Sequence, residues 1–99
     1  MRKGVRKLSE NSINMTIDHN LKILPEYYIA VSDGSKTFEI RKNDRDFHLG
    51  DIVMLQEYDE SGFRGRNILV EIVYITDFEQ KDNYVVLGIR TIFQVSGMF

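Results

Sequence analysis

The sequence predicts a small α+β domain, in which a twisted sheet of about five strands curls into a partly closed mixed or antiparallel barrel. One short helix follows the first strand. Three features carry that expectation. Short segments of apolar–polar alternation are separated by turn residues, as strands with one buried face require. The single proline stands where one helical segment begins, and a glycine stands where it ends. A 99-residue chain with 42% hydrophobic and 28% charged residues can bury one core without staples.

The elements follow in order. Residues 1–14 begin with Arg2, Lys3, Arg6 and Lys7 and continue with polar residues. They are expected to form a flexible basic tail ahead of a single domain over 15–99. His19 to Leu24 alternates, placing Leu21 and Ile23 on one face of a first strand. Pro25 suits a first helical turn, and Gly34 suits the stop of a short helix over Pro25 to Asp33.

Thr37 to Arg41 alternates strictly, with Phe38 and Ile40 opposite Thr37, Glu39 and Arg41. The apolar pair is expected to enter the core. A polar loop over Asn43 to Phe47 and a turn over His48 to Asp51 lead into a third strand, Ile52 to Leu55. After a loop around Asp59, Ser61 and Gly62, a fourth strand runs from Asn67 to Ile75. A fifth follows from Tyr84 to Phe93, beyond the polar connection Asp77 to Asn83. The second, fourth and fifth strands are expected at the centre of the sheet.

Composition narrows the function. The chain has no cysteine, which excludes a disulfide framework, zinc–thiolate ligation and a cysteine nucleophile. No apolar run approaches the roughly 20 residues of a membrane span, and no signal-peptide core follows Met1-Arg2-Lys3. A cytoplasmic protein with no membrane partner is the expectation. His19 and His48 stand in no metal-binding spacing, and no glycine-rich phosphate or dinucleotide loop occurs, so neither metal nor cofactor is expected. The net charge is −2 and the pI about 5.6, whereas dedicated nucleic-acid binders often exceed roughly 9. Broad phosphate-backbone binding is disfavoured; a local basic cleft is not.

The most distinctive stretch is Gly34-Ser35-Lys36-Thr37-Phe38-Glu39-Ile40-Arg41. Glu39 and Arg41 share a strand face, with Lys36 at its entry, forming a rigid row of donors and an acceptor suited to a planar polar ligand. Read as a solvated surface, the same row is an ordinary salt bridge. Lys42 and Arg45 extend the cationic rim. Arg64 and Arg66 are candidates to join it across the fold, although Asp44 and Asp46 interleave the cations. Among aromatic residues that stack on bases, Tyr27, Tyr28, Phe47, Tyr58 and Phe63 are available; one of the two helical tyrosines is expected in the core.

This stretch resembles the G-x-K-x-x-E-x-R signature of ASCH domains, relatives of the PUA-like RNA-binding barrels. The likeness runs from about Asp18 to Ile92 and takes in Leu21-Lys22-Ile23, Pro25-Glu26-Tyr27-Tyr28, Arg41 to Phe47, Gly50-Asp51, Glu57-Tyr58 and Gly65-Arg66. It points to a small phage and bacterial family. It implies a PUA-like barrel with a cleft for RNA, a nucleotide or a modified nucleoside, lined by Lys36, Thr37, Glu39, Arg41, Lys42 and Arg45. Some ASCH-type proteins hydrolyse N4-acetylcytidine with a lysine, a threonine and a glutamate. Lys36 matches that lysine, Glu39 stands at the threonine's position, and the glutamate falls near the short connection holding Glu79.

Three readings stand side by side. The first is a binding module for RNA or a nucleoside. The second is a small amidohydrolase in which Lys36 and Glu39 are catalytic. The third is a phage or bacterial protein-interaction module.

Overall fold

A computed structural model of the chain describes residues 7–9, 12–14 and 16–96. Much of the expected basic tail (residues 1–6, 10 and 11) lies outside the described residues. Lys7–Ser9 (β1) and Ser12–Asn14 (β2) pair as an antiparallel ribbon. The main sheet holds His19–Ile23 (β3), Phe38–Lys42 (β4), Ile52–Asp59 (β5), Gly62–Thr76 (β6) and Tyr84–Ser96 (β7). Helix α1, Pro25–Ser32, follows β3.

The strand order is β3-β5-β6-β7-β4, with β3 parallel to β5 and every other pair antiparallel. The sheet is a curled half-barrel. The long strand β6 bends it, because its pairing shifts between Leu69 and Val70 and again between Ile72 and Tyr74. Such irregularities insert an unpaired residue, increase local twist and turn a strand's direction. Its concave side holds the core: Leu21, Ile23, Val53, Leu55, Ile68, Val70, Ile72, Val85, Leu87 and Ile89, joined by Tyr28 and Val31 of α1.

The helix begins and ends as expected. Pro25 occupies its first turn, where a missing N–H breaks no bond, and Gly34 adopts φ 85 just beyond its end. The third and fourth strands run longer than expected. β5 continues to Asp59 and β6 starts at Gly62, so the anticipated loop is a tight hairpin in which Asp59 pairs with Gly62.

The second sequence-predicted strand departs from expectation in two ways. β4 is an edge strand, not a central one. Its faces are also reversed: Phe38 and Ile40 are 42% and 52% exposed, whereas Glu39 is only 5% exposed. The register gives the reason. Glu39 pairs with Leu87 and Arg41 with Val85, and directly opposed residues of an antiparallel pair share a face. The core-facing row of β7 therefore carries Glu39 and Arg41 inward. Phe38 pairs with Gly88 on the outer face, where Tyr74 also pairs with Gly88. A side chain at Gly88 would meet Tyr74 Cβ at 3.0 Å, so the glycine lets the two strands approach there without a clash.

Candidate ligand-binding cleft

Because β3 and β4 are the two free edges of the half-barrel, a seam remains between them. Arginine side chains span it. Arg41 Nη2 donates to the Lys22 carbonyl at 2.6 Å, and Arg45 Nη1 donates to the Asn20 carbonyl at 3.1 Å. Two edge carbonyls are thus satisfied by side chains where a closed barrel would use a neighbouring strand.

At one end the seam opens into a cleft of about 490 Å³, lined by Lys22, Ile23, Leu24, Tyr27, Lys36, Phe38, Glu39, Ile40 and Arg41. Within it Glu39 is the buried acceptor. It takes hydrogen bonds from Arg41 Nε at 3.1 Å and Nη2 at 2.9 Å on one oxygen, and from Lys36 Nζ on the other. Lys36 Nζ also donates to the Phe38 carbonyl at 2.7 Å and lies 5.0 Å from the Phe38 ring and 5.3 Å from the Tyr27 ring. No buried side-chain nitrogen or oxygen among the described residues lacks a partner, which is what allows an inward-facing carboxylate to persist.

Lys36 is held by the turn that the Gly-Ser-Lys sequence makes after α1. The Lys36 N–H donates to the Ala30 carbonyl at 3.0 Å. Asp33 Oδ1 accepts from the Ser35 N–H at 2.9 Å and the Ser35 hydroxyl at 2.7 Å. The hydroxyl bond and then the backbone bond hold the Asp33 carboxyl below its ordinary range. A glycine with positive φ, a clipped serine and an anchored lysine N–H leave the lysine little choice of direction.

Three cations against one carboxylate give the cleft a positive balance in a chain of net charge −2. Arg41 Nη1 has no partner among the described residues, so a donor remains for a ligand. Leu24 and Tyr27 are large apolar residues left exposed in the lining, and the Phe38 ring lies 5.0 Å from Lys36 Nζ at the rim. A cleft with a charged floor and apolar walls suits a flat, polar-edged molecule.

Of the sequence-predicted residues, Lys36, Glu39 and Arg41 meet in the cleft. Thr37 and Lys42 are exposed and do not line it. Arg45 stands at the seam beside it. Arg64 and Arg66 are engaged elsewhere, with Asp59 at 3.0 Å and Glu57 at 2.7 Å. Tyr28 is the core tyrosine and Tyr27 the exposed one. Phe47 is buried, its ring edge-on to His19 at 4.8 Å, and so is not a free stacking surface. Phe63 is exposed but packs against Tyr58 at 5.0 Å, outside the cleft.

Sequence reasoning missed Lys22, Ile23 and Leu24. Only the return of β3 opposite β4 brings them in, and nothing in their local pattern announces it. Glu79 lies in the polar connection and does not line the cleft. His19 pairs with Asp51 at 2.7 Å, and no cluster of three or more His, Asp or Glu among the described residues is arranged for a metal. No helix among the described residues is long and apolar enough to cross a membrane.

A family model described as "Domain of unknown function (DUF3850)" matches residues 18–89. The "Uncharacterized 12.9 kDa protein in GpA 3'region" of Escherichia phage P2 is 34% identical over 70 residues, covering 70% of this chain and 64% of that protein. The chain thus spans a little under two thirds of that relative's length. The family match begins at the residue before β3, ends at the core residue Ile89 of β7 and encloses the whole cleft: the chain belongs to the DUF3850 family.

Proposed function

We propose that this chain is a PUA-like, ASCH-related domain that binds RNA, a nucleotide or a modified nucleoside in the cleft between β3 and β4. The observation that carries this reading is the convergence of Lys36, Glu39 and Arg41 on one floor beneath the exposed Tyr27 and Phe38. The cations supply donors for phosphate or carbonyl oxygens, and Glu39 fixes both in place. Tyr27 and Phe38 offer ring surface to a base, and such stacking contributes about 1–3 kcal/mol per base. The sequence likeness to the ASCH signature supports the same reading.

The test is a native mass-spectrometric screen of the purified domain against nucleosides, modified nucleosides, nucleotides and short single-stranded RNAs. Retention of at least one class is expected. Affinity should fall as salt rises if phosphate is engaged, and about tenfold with Lys36→Ala. No retention of any class by the folded domain would overturn the reading. An amidohydrolase is the second reading, favoured by one contact: Lys36 Nζ and the Glu39 carboxylate are hydrogen-bonded side by side at the cleft floor, a donor and an acceptor adjacent as proton handling requires. The same screen decides it, because N4-acetylcytidine would be converted to cytidine and acetate.

A further inference from the structure

The free edge of β4 offers the cleft a main-chain donor and acceptor side by side. The Ile89 N–H donates to the Thr37 carbonyl at 2.9 Å and the Asn43 N–H to the Asn83 carbonyl at 2.8 Å. By the two-residue period of an antiparallel ladder, Thr37, Glu39, Arg41 and Asn43 direct their main-chain groups toward β7. Phe38, Ile40 and Lys42 direct theirs the other way, across the seam toward β3. Two of those three carbonyls are already used. The Phe38 carbonyl accepts from Lys36 Nζ at 2.7 Å, and the Lys42 carbonyl accepts from the Asp44 N–H at 2.9 Å. Ile40 alone keeps both its N–H and its C=O without a partner among the described residues, and it lines the cleft.

We infer that Ile40 reads its ligand by main chain, and that the ligand is a heterocycle with an adjacent N–H donor and acceptor: a lactam or amidine edge, as on uracil or cytosine. This rests on the nucleoside reading above and narrows it. A ring N–H or exocyclic N–H donates to the Ile40 carbonyl, and the neighbouring ring nitrogen or carbonyl oxygen accepts from the Ile40 N–H. That is the pattern a neighbouring strand would satisfy at this position, offered here to a small molecule. An extended peptide is the other occupant that strand edges take, through a run of alternate residues. Here the flanking carbonyls are occupied and Arg41 and Arg45 bridge the seam, so one donor–acceptor pair remains where a strand needs several. The charged floor then falls to the ligand's polar substituents, and Tyr27 and Phe38 to its ring.

The experiment is an amide-resolved NMR titration of the folded domain with four probes: uridine, 3-methyluridine, free uracil and an extended tetravaline peptide. The 3-methyl group removes the donor and blocks the edge while keeping ring and ribose. The expected result is a downfield shift of the Ile40 amide proton with uridine and uracil, and an affinity for 3-methyluridine lower by about tenfold. Equal affinity for uridine and 3-methyluridine, or an unmoved Ile40 amide at saturation, overturns the main-chain edge while leaving nucleoside binding intact. Uracil moving the Ile40 amide while uridine does not bind upholds the edge and overturns the nucleoside reading. Joint shifts of the Phe38, Ile40 and Lys42 amides with the peptide alone, or no response to any probe, overturn the inference.

Discussion

Two buried glutamates in this domain make the same bond and serve different ends. Glu57 on β5 and Glu39 on β4 both face the concave side, at 2% and 5% exposure, and each is held by cationic side chains. Glu57 lies on an interior strand with hydrogen-bonded neighbours on both sides, and Arg66 grips both its oxygens at 2.7 Å. The guanidinium in turn lies over the Tyr28 ring at 4.7 Å, which ties α1 to the sheet. Glu39 lies on an edge strand, and its cations look into an open cleft. Strand position separates the two: the same kind of ion pair is a brace on an interior strand and, under the proposed function, a binding floor on an edge strand.

Breaking the brace should cost most. Arg66→Ala takes both donors from the buried Glu57 carboxylate; Arg66 itself is exposed, so water replaces part of what is lost, and the cost is about 2–3 kcal/mol. Urea unfolding should show that drop in the midpoint with an unchanged slope. Glu39→Ala should cost less, about 1–2 kcal/mol, because water in the cleft still reaches Lys36 and Arg41 after they lose their acceptor. It should also weaken ligand binding, which Arg66→Ala at a temperature where it is folded should not.

Acid acts on the brace more gently. The bonds from Arg66 hold the Glu57 carboxyl below its ordinary value of 4.5, outweighing the opposing effect of burial. A carboxylate lowered in the folded state contributes stability that is present above its unfolded value and lost as pH falls through the folded one. Stability should therefore decline below about pH 4.5, and Glu57→Gln should flatten that decline. Burial dominates at Tyr28, raising its hydroxyl above the ordinary 10 against the pull of Arg66. The smallest effect belongs to the outer face of the edge strand. Ile40→Thr should change stability by less than about 0.5 kcal/mol, as expected for an exposed position.

Much of this arrangement was readable in the residues. Pro25 and Gly34 bracket α1, alternation marks β3 and β4, and the motif places Lys36, Glu39 and Arg41 together. What alternation does not tell is which face of a strand turns inward. Phe38 and Ile40 look like core residues by composition, yet inward direction is set by the pairing of Glu39 with Leu87 and Arg41 with Val85, a contact across nearly fifty residues. Edge position is likewise a property of the whole sheet. Cleft residues Lys22, Ile23 and Leu24 could not be assigned to the site without knowing that β3 and β4 are the two ends of one curled sheet.

The reversed face of β4 is the claim on which cleft, floor and main-chain edge all depend, and thiol reactivity tests it directly. The chain has no cysteine of its own, so single substitutions along the strand report cleanly. In variants shown by urea melts to be folded, Phe38→Cys and Ile40→Cys should react with a maleimide at close to the rate of an unfolded peptide. Glu39→Cys should react at least about tenfold more slowly, limited by local opening. Fast reaction at position 39 with protection at 38 and 40 would put the apolar row in the core and contradict the account.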